Sequence, residues 1–202
     1  MSTKVEDLQA LDIHQVYHIH RLMSMSLSIL ISSGITNWLN GGSLLGQVRV
    51  GGMILWDDDI DIAIPLQERE VLHSEEFQKK LGWLRLKIVK PSNLYYKIKY
   101  QDPDLQDVFI DICLIDENGL DLRKDKKKRK YEDGEIYPLK EAKFSSVKYP
   151  VFIPNKSEEY LDRIFKDWRT TAVIYNHSDH KKQKRVLLLT PEINIPVKYH
   201  YK

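Results

Sequence analysis

The sequence predicts an α+β fold: one compact domain in which a mixed sheet is flanked by helices. Three observations lead there. Residues 8–33 carry apolar side chains at helical spacing, residues 56–65 alternate acidic and apolar side chains, and residues 108–115 form an almost unbroken apolar run rich in β-branched residues. These patterns specify an amphipathic helix, a half-buried strand and a strand buried on both faces. With 202 residues, 42% of them apolar and 30% charged, the chain is long enough for a single hydrophobic core.

In the first helix, Leu11, Val16, Ile19, Leu22, Met23, Leu27, Leu30 and Ile31 form the buried stripe, and Gly34 ends it. Residues 36–39 are β-prone. Gly41-Gly42-Ser43 is a turn feeding a short helix over 44–49, stopped by Gly51-Gly52. The strand over 56–65 places Ile60, Ile62 and Ile64 in the core and Asp57, Asp59 and Asp61 on the other face. Residues 67–81 read as a charged surface helix, and 84–89 and 95–100 as strands. The apolar strand over 108–115 has one polar interruption, Asp111. Residues 117–134 are a basic loop after a core of about 8–116, and 135–202 form a C-terminal extension packing on that core. Within the extension, residues 144–153 are β-like. Asn155 with Glu158 resembles a capping box opening a helix to about residue 167. Residues 169–202 have no firm assignment.

Several classes are excluded or disfavoured. A net charge of +2, summed from many charges of both signs, implies neither nucleic acid nor an anionic membrane as partner. The single cysteine, Cys113, rules out an internal disulfide and a multi-cysteine zinc site; it reads as a small core residue. The most apolar stretch, 22–35, is short and broken by serines and a glycine, so no signal peptide or spanning helix is expected, and a cytoplasmic location is.

Three carboxylates on one strand face raise one another's pKa unless a cation neutralises them. All-oxygen ligation suits a hard ion, Mg²⁺ or Mn²⁺. Asp111 adds weight, because an ionised carboxylate inside an apolar strand costs several kcal/mol unless paired or coordinated. If its strand lies beside the acidic one, Asp111 completes a three-carboxylate cluster able to hold one or two metals and activate an acceptor hydroxyl. Taken singly, a solvated acidic edge and a locally paired Asp111 are at least as good an account. Together they leave unexplained the upstream glycine turn, whose amides suit a phosphate and whose Ser43 can cap the helix or donate to a phosphate oxygen.

The run Trp38-Leu39-Asn40-Gly41-Gly42-Ser43-Leu44-Leu45-Gly46, followed by Val48-Arg49, Gly52 and Trp56-Asp57-Asp58-Asp59-Ile60-Asp61, resembles the signature of the LicD and fukutin family of transferases. That family is a branch of the polymerase-beta-like nucleotidyltransferase superfamily. Val108-Phe109-Ile110-Asp111-Ile112 is similar to its later strand. Tyr137-Pro138-Leu139, Phe144, Pro154 and Glu159-Tyr160-Leu161 are similar to its C-terminal pattern. The resemblance, over about 37–168, implies a nucleotidyltransferase-type sheet. It also implies metal-dependent transfer of a phospho-alcohol, such as phosphocholine or ribitol or glycerol phosphate, from a CDP-linked donor to a glycan hydroxyl.

It further implies that Asp59 and Asp61 are paired metal ligands, with Asp57 an additional one and Asp111 the third carboxylate. Gly41, Gly42 and Ser43 would face donor phosphates, and Arg49 would meet a phosphate or brace the acidic strand. Asn40 and Leu55 stand where many members have aspartate and proline, and Val50 where a basic residue is frequent. These departures leave the donor undefined.

Two rivals stand beside this reading: a nucleotidyltransferase that leaves a nucleoside monophosphate on its acceptor, and an inactive relative that binds glycan or nucleic acid. The basic runs 123–130 and 181–185 read first as solvated loops, and a polyanionic acceptor is the alternative. His177 and His180 around Asp179 read as a polar loop rather than a metal pair. On the strand over 95–100, Lys97 or Lys99 reads as a surface residue before a phosphate contact.

Overall fold

A capping box starts the first helix, α1 (Ile13–Ser32). The Asp12 side chain accepts from the His14 N–H, and Gln15 accepts from the Asp12 N–H. The computed structural model describes residues 11–54, 56–123, 129–175 and 184–188. Val16, Ile19, Leu22, Met23, Leu27 and Leu30 are buried as the spacing predicts, whereas Ile31 faces solvent and Ile29 takes its place in the core.

There follow β1 (Trp38–Leu39), α2 (Gly41–Val50), β2 (Ile60–Pro65), α3 (Glu75–Trp83), β3 (Leu86–Ser92), β4 (Tyr95–Tyr100) and β5 (Phe109–Ile115). The expected helix over 67–81 is split into a 3₁₀ stretch, Leu66–His73, and α3. Ser74 is the cause: it is extended, and its hydroxyl accepts from the Phe77 N–H, so it restarts the helix as an N-cap.

The sheet order is β1-β2-β5-β4-β3. β2 and β5 are parallel, and the other neighbours are antiparallel. This is the mixed sheet of the predicted α+β class. α1 packs against β4, β5 and α3, and the Tyr100 hydroxyl donates to the His18 carbonyl at 3.0 Å. Alternation along the strands directs Ile60, Ile62, Ile64, Ile110, Ile112 and Leu114, all buried, to one face. Asp61, Ala63, Asp111 and Cys113 lie on the other.

Beyond the sheet, β6 (Lys140–Ala142) pairs with β7 (Val151–Ile153), and α4 (Ser157–Ile164) packs on α2. Lys156, not Asn155, precedes α4 and makes no side-chain cap, because an ammonium has no acceptor to offer the helix amides. A hairpin of β8 (Thr171–Tyr175) and β9 (Lys184–Leu188) forms where the sequence had no firm assignment. Each run is five residues, and cross-strand pairing makes them strands. Among the described residues no helix is long and apolar enough to cross a membrane.

His20 on α1 is 1% exposed, lies edge-on to Phe144, and has no hydrogen-bond partner for either ring nitrogen among the described residues. Burial pushes its pKa down to about 4 from 6.5. The unfolded chain therefore takes up a proton below pH 6.5 that the folded chain refuses until about pH 4. Stability is expected to fall over that interval by about 3 kcal/mol. Urea midpoints at pH 7 and pH 4.5 for the wild type and for His20→Met test this. The variant should lose much less than the wild type on acidification, and parallel losses would exclude His20 as the cause.

Candidate active site

Parallel pairing of β2 with β5 sets the register Asp61↔Asp111, and antiparallel pairing of β4 with β5 sets Lys97↔Asp111. Two carboxylates and an ammonium thus arrive on one sheet face from three strands. α2 begins directly above them. The Asn40 amide donates to the Asp61 carbonyl at 3.0 Å, the Asp61 N–H donates to the Ser43 hydroxyl oxygen at 2.9 Å, and the Gly42 N–H donates to Asp61 Oδ2 at 3.2 Å. Gly41 has φ +53°, and a Cβ there would lie 2.1 Å from Asp61 Oδ2; one on Gly42 would lie 2.5 Å from Asp57 Oδ2. The two glycines are thus required by the approach of the carboxylates themselves. Ser43 does not cap α2; it sits inside the first turn and ties the helix to β2.

β2 starts only at Ile60, so Asp57, Asp58 and Asp59 precede the strand rather than alternate along it. One carboxylate oxygen from each lies within 4.8 Å of the others, which brings in Asp58, a residue that strict alternation passes over. Burial first, then the charges of Asp61, Asp57, Asp111 and Asp58, raise the Asp59 pKa well above the usual carboxylate range. An all-oxygen set of clustered carboxylates fits a hard divalent cation.

Asp57, Asp59, Asp61, Asp111, Gly42 and Arg49 all line one cleft of about 550 Å³, within the size range of small-molecule sites. The same cleft is also lined by Arg129, Phe165, Lys166 and Trp168, and Arg129 Nη1 would lie 2.8 Å from a Cβ on Gly41. Gly41 and Ser43 lie beneath this lining, and Ser43 is buried. Arg49 lines the cleft and also braces the chain. Its guanidinium donates to the Trp168 carbonyl and, at 3.1 Å, to the Thr171 carbonyl, which fastens α2 to the C-terminal segment. Trp56 does likewise through Nε1 and the Val173 carbonyl at 3.2 Å.

Arg123 is the residue of this cleft that sequence reasoning missed. It is the first residue of the run read as a solvated loop, yet it is 8% exposed. Its Nη1 lies 2.5 Å from Asp61 Oδ1 and 3.9 Å from Asp111 Oδ2, and its Nε and Nη2 hold Asp121. Local composition carries no signal of this, because the burial follows from the chain turning back onto the sheet after β5. There the Leu122 N–H donates to the Leu114 carbonyl at 3.0 Å. Lys97 sits 2.8 Å from Asp111 Oδ1 and over the Phe109 ring, so its described partners are Asp111 and an aromatic face rather than open solvent. Burial raises the Asp111 pKa, and the hydrogen bond and charge of Lys97 oppose that.

Asn40 is fully buried, donates to Asp121 Oδ2 at 3.0 Å, and accepts from the hydroxyls of Tyr131 at 3.0 Å and Tyr160 at 3.2 Å. An amide does both tasks at once; an ionised aspartate could not donate to Asp121. Cys113 is buried, and burial pushes its thiol pKa up, as for a core residue. Leu55, residues 124–128 of the basic run, and His177, Asp179 and His180 lie outside the described residues, as do the side chains of the 181–185 cluster.

The family described as LicD/FKTN/FKRP, nucleotidyltransferase domain, matches residues 34–156, a span that takes in the glycine turn, the aspartates and Arg123. The chain belongs to this family. Proteins similar to this chain include uncharacterized proteins of Rickettsia prowazekii and Rickettsia typhi. The first is 29% identical over 196 residues, covering 88% of this chain and 68% of the relative. The second is 29% identical over 206 residues, covering 96% of this chain and 60% of the relative. Ribitol 5-phosphate transferase FKRP of Homo sapiens is 45% identical over 42 residues, 21% of this chain and 8% of FKRP. Among solved structures, the solution structure of the antibiotic-resistance factor ANT(2'')-Ia aligns with a TM-score of 0.46 and 15% identity, over 73% of this chain and 74% of that one. Its crystal structure with adenylyl-2''-tobramycin aligns with a TM-score of 0.44 and 15% identity, over 75% of this chain and 78% of that one.

Proposed function

We propose that this LicD/FKTN/FKRP chain is a metal-dependent transferase that moves a phospho-alcohol, of the phosphocholine or ribitol or glycerol phosphate class, from a CDP-linked donor to a glycan hydroxyl. The observation that carries the reading is the β2–β5 register, which sets Asp61 against Asp111 on the floor of a cleft already crowded by Asp57 and Asp59. Asp57, Asp59 and Asp61 would hold Mg²⁺ or Mn²⁺, with Asp58 beside them, and the ion would supply charge neutralisation for the donor diphosphate.

The rest falls to the chain's own groups. Asp111 accepts the proton of the acceptor hydroxyl, a task suited to a carboxylate whose pKa burial has raised. That oxygen bonds to the phosphorus bearing the alcohol, the bond to the bridging oxygen breaks, and CMP leaves. The Gly42 turn and Arg129 stand at the rim where donor phosphates would lie. Arg129 stacks on Phe165, 5.3 Å from the ring centroid, which directs its guanidinium.

The family description favours one rival, attack at the nucleoside phosphorus, which leaves a nucleoside monophosphate on the acceptor. Incubation with CDP-choline, CDP-ribitol or CDP-glycerol plus Mn²⁺, followed by mass analysis of a glycan acceptor, separates the two. Addition of the phospho-alcohol mass supports the proposal, and addition of CMP supports the rival. A metal-dependent rise in melting temperature should accompany the productive donor. No shift and no transfer with any of them, alongside salt-sensitive RNA binding, would point to an inactive binding relative instead.

A further inference from the structure

The sheet face that carries Asp61 and Asp111 continues past the cleft. In one row across the strands, Asp61 on β2 stands beside Asp111 on β5, then Lys97 on β4 and Val89 on β3; in a neighbouring row Phe109 stands beside Lys99 and Lys87. At about 4.8 Å per strand, the face runs about 10 Å beyond Asp111 to the edge of the sheet. Burial alternates along β4: Tyr96, Ile98 and Tyr100 are buried on the side of α1, whereas Tyr95, Lys97 and Lys99 are half-buried on this side, and Val89 on the edge strand is 37% exposed. We infer that this open face is the acceptor subsite and that the glycan it takes is anionic, with phosphate or carboxylate groups that meet Lys99 and Lys87. The inference rests on the transferase reading above, with Asp111 taking the acceptor proton, and adds to it where the acceptor lies and what charge it carries.

Donor phosphates in that reading lie at the Gly42 turn, whose amide bonds Asp61 on the β2 side of Asp111. On its other side Asp111 is flanked by β4, so an acceptor reaching the carboxylate from there crosses the lysines of β4 and β3. Cations along an approach path raise the local concentration of an anion, and a neutral glycan has no use for them. Lys97 is committed to Asp111 at 2.8 Å. Lys99 donates to the Gln106 carbonyl at 2.7 Å, and an ammonium has three donors, so two remain for a ligand. The Phe109 ring lies 3.3 Å from Lys97 Nζ and 5.3 Å from Lys99 Nζ, which holds both groups in place before anything binds and so lowers the entropic cost of recognition. A compact ammonium serves phosphate and carboxylate alike, so the chemistry read is the negative charge.

Isothermal titration calorimetry of the full chain with phosphorylated maltopentaose, an oligogalacturonate and neutral maltopentaose tests this. At least one anionic probe should bind about tenfold or more tighter than the neutral one, and the advantage should shrink as salt rises. Which anionic probe binds better tells phosphate from carboxylate. Lys87→Gln combined with Lys99→Gln should abolish the preference, and Lys87→Arg combined with Lys99→Arg should keep it. Both double variants should retain the wild-type melting temperature and its rise with Mn²⁺ plus the productive CDP-linked donor. Absence of glycan binding, equal affinity for neutral and anionic probes, a preference that survives the double Gln variant, or tighter binding of a single-stranded oligoribonucleotide than of either anionic glycan would each overturn the inference. Failure of every CDP-linked donor to be used, with the lysine-dependent preference intact, would instead sink the transferase reading and leave an anion-binding face.

Discussion

Asp59→Asn should reduce transfer by at least about 10³-fold while leaving the melting temperature unchanged or slightly higher. The loss follows from removing a carboxylate that would hold the catalytic ion, a contribution worth several kcal/mol of transition-state charge stabilisation. The stability half follows from the sign of the pKa shift. Asp59 is raised above the ordinary carboxylate value by burial and by four neighbouring aspartates. In the metal-free protein its ionisation therefore costs stability as pH rises from the unfolded value through the folded one, and asparagine abolishes that cost. Steady-state kinetics with the productive CDP-linked donor, paired with thermal melts at pH 7, measure both halves. Activity within tenfold of the wild type would remove Asp59 from the metal set. A large drop in melting temperature would show that its role is structural.

Asp61→Ala should behave differently, losing activity and also about 3 kcal/mol of stability. Asp61 is 7% exposed, bonds Arg123 through Oδ1 and accepts from the Gly42 amide through Oδ2. Truncation leaves a buried guanidinium short of one carboxylate and a helix-opening amide without its acceptor. The figure sits at the low end for broken buried pairs because Asp121 still holds Arg123. In a chain of this length the corresponding fall in melting temperature is about 10 °C. Asp61→Asn, which keeps an acceptor oxygen for Arg123, should recover part of the stability and none of the activity. Equal melting temperatures for Asp61→Ala and Asp59→Asn would contradict the ion-pair account. The contrast matters for interpretation, since loss of activity in an Asp61 variant alone does not separate catalysis from folding.

Much of the fold was legible because its signals are local. The helical period of α1 and the apolar run of β5 each follow from side chains a few residues apart, and both elements formed as their spacing dictates. The glycine turn and the aspartates were legible for the same reason, as a short continuous motif. Where expectation failed, a local rule had been stretched too far or a contact was nonlocal. Strict alternation was extended back through Asp57, although the backbone becomes a strand only at Ile60, so Asp58 was overlooked. Charge density assigned Arg123 to solvent, although the return of the chain after β5 buries it against three carboxylates. The sequence reading of Arg49, a phosphate partner or a brace of the acidic strand, held no sign of its donation to the Trp168 and Thr171 carbonyls, which only the folded chain brings near.

Residue order alone therefore specified α1, β5, the acidic motif and the family to which the chain belongs. The folded chain was needed to show that Asp61 and Asp111 lie side by side, that Lys97 and Arg123 stand among them, and that Asn40 closes the buried network behind. The reason is physical. Alternation and helical period are properties of one segment, whereas strand register and the pairing of buried charges depend on which distant segments the core brings together.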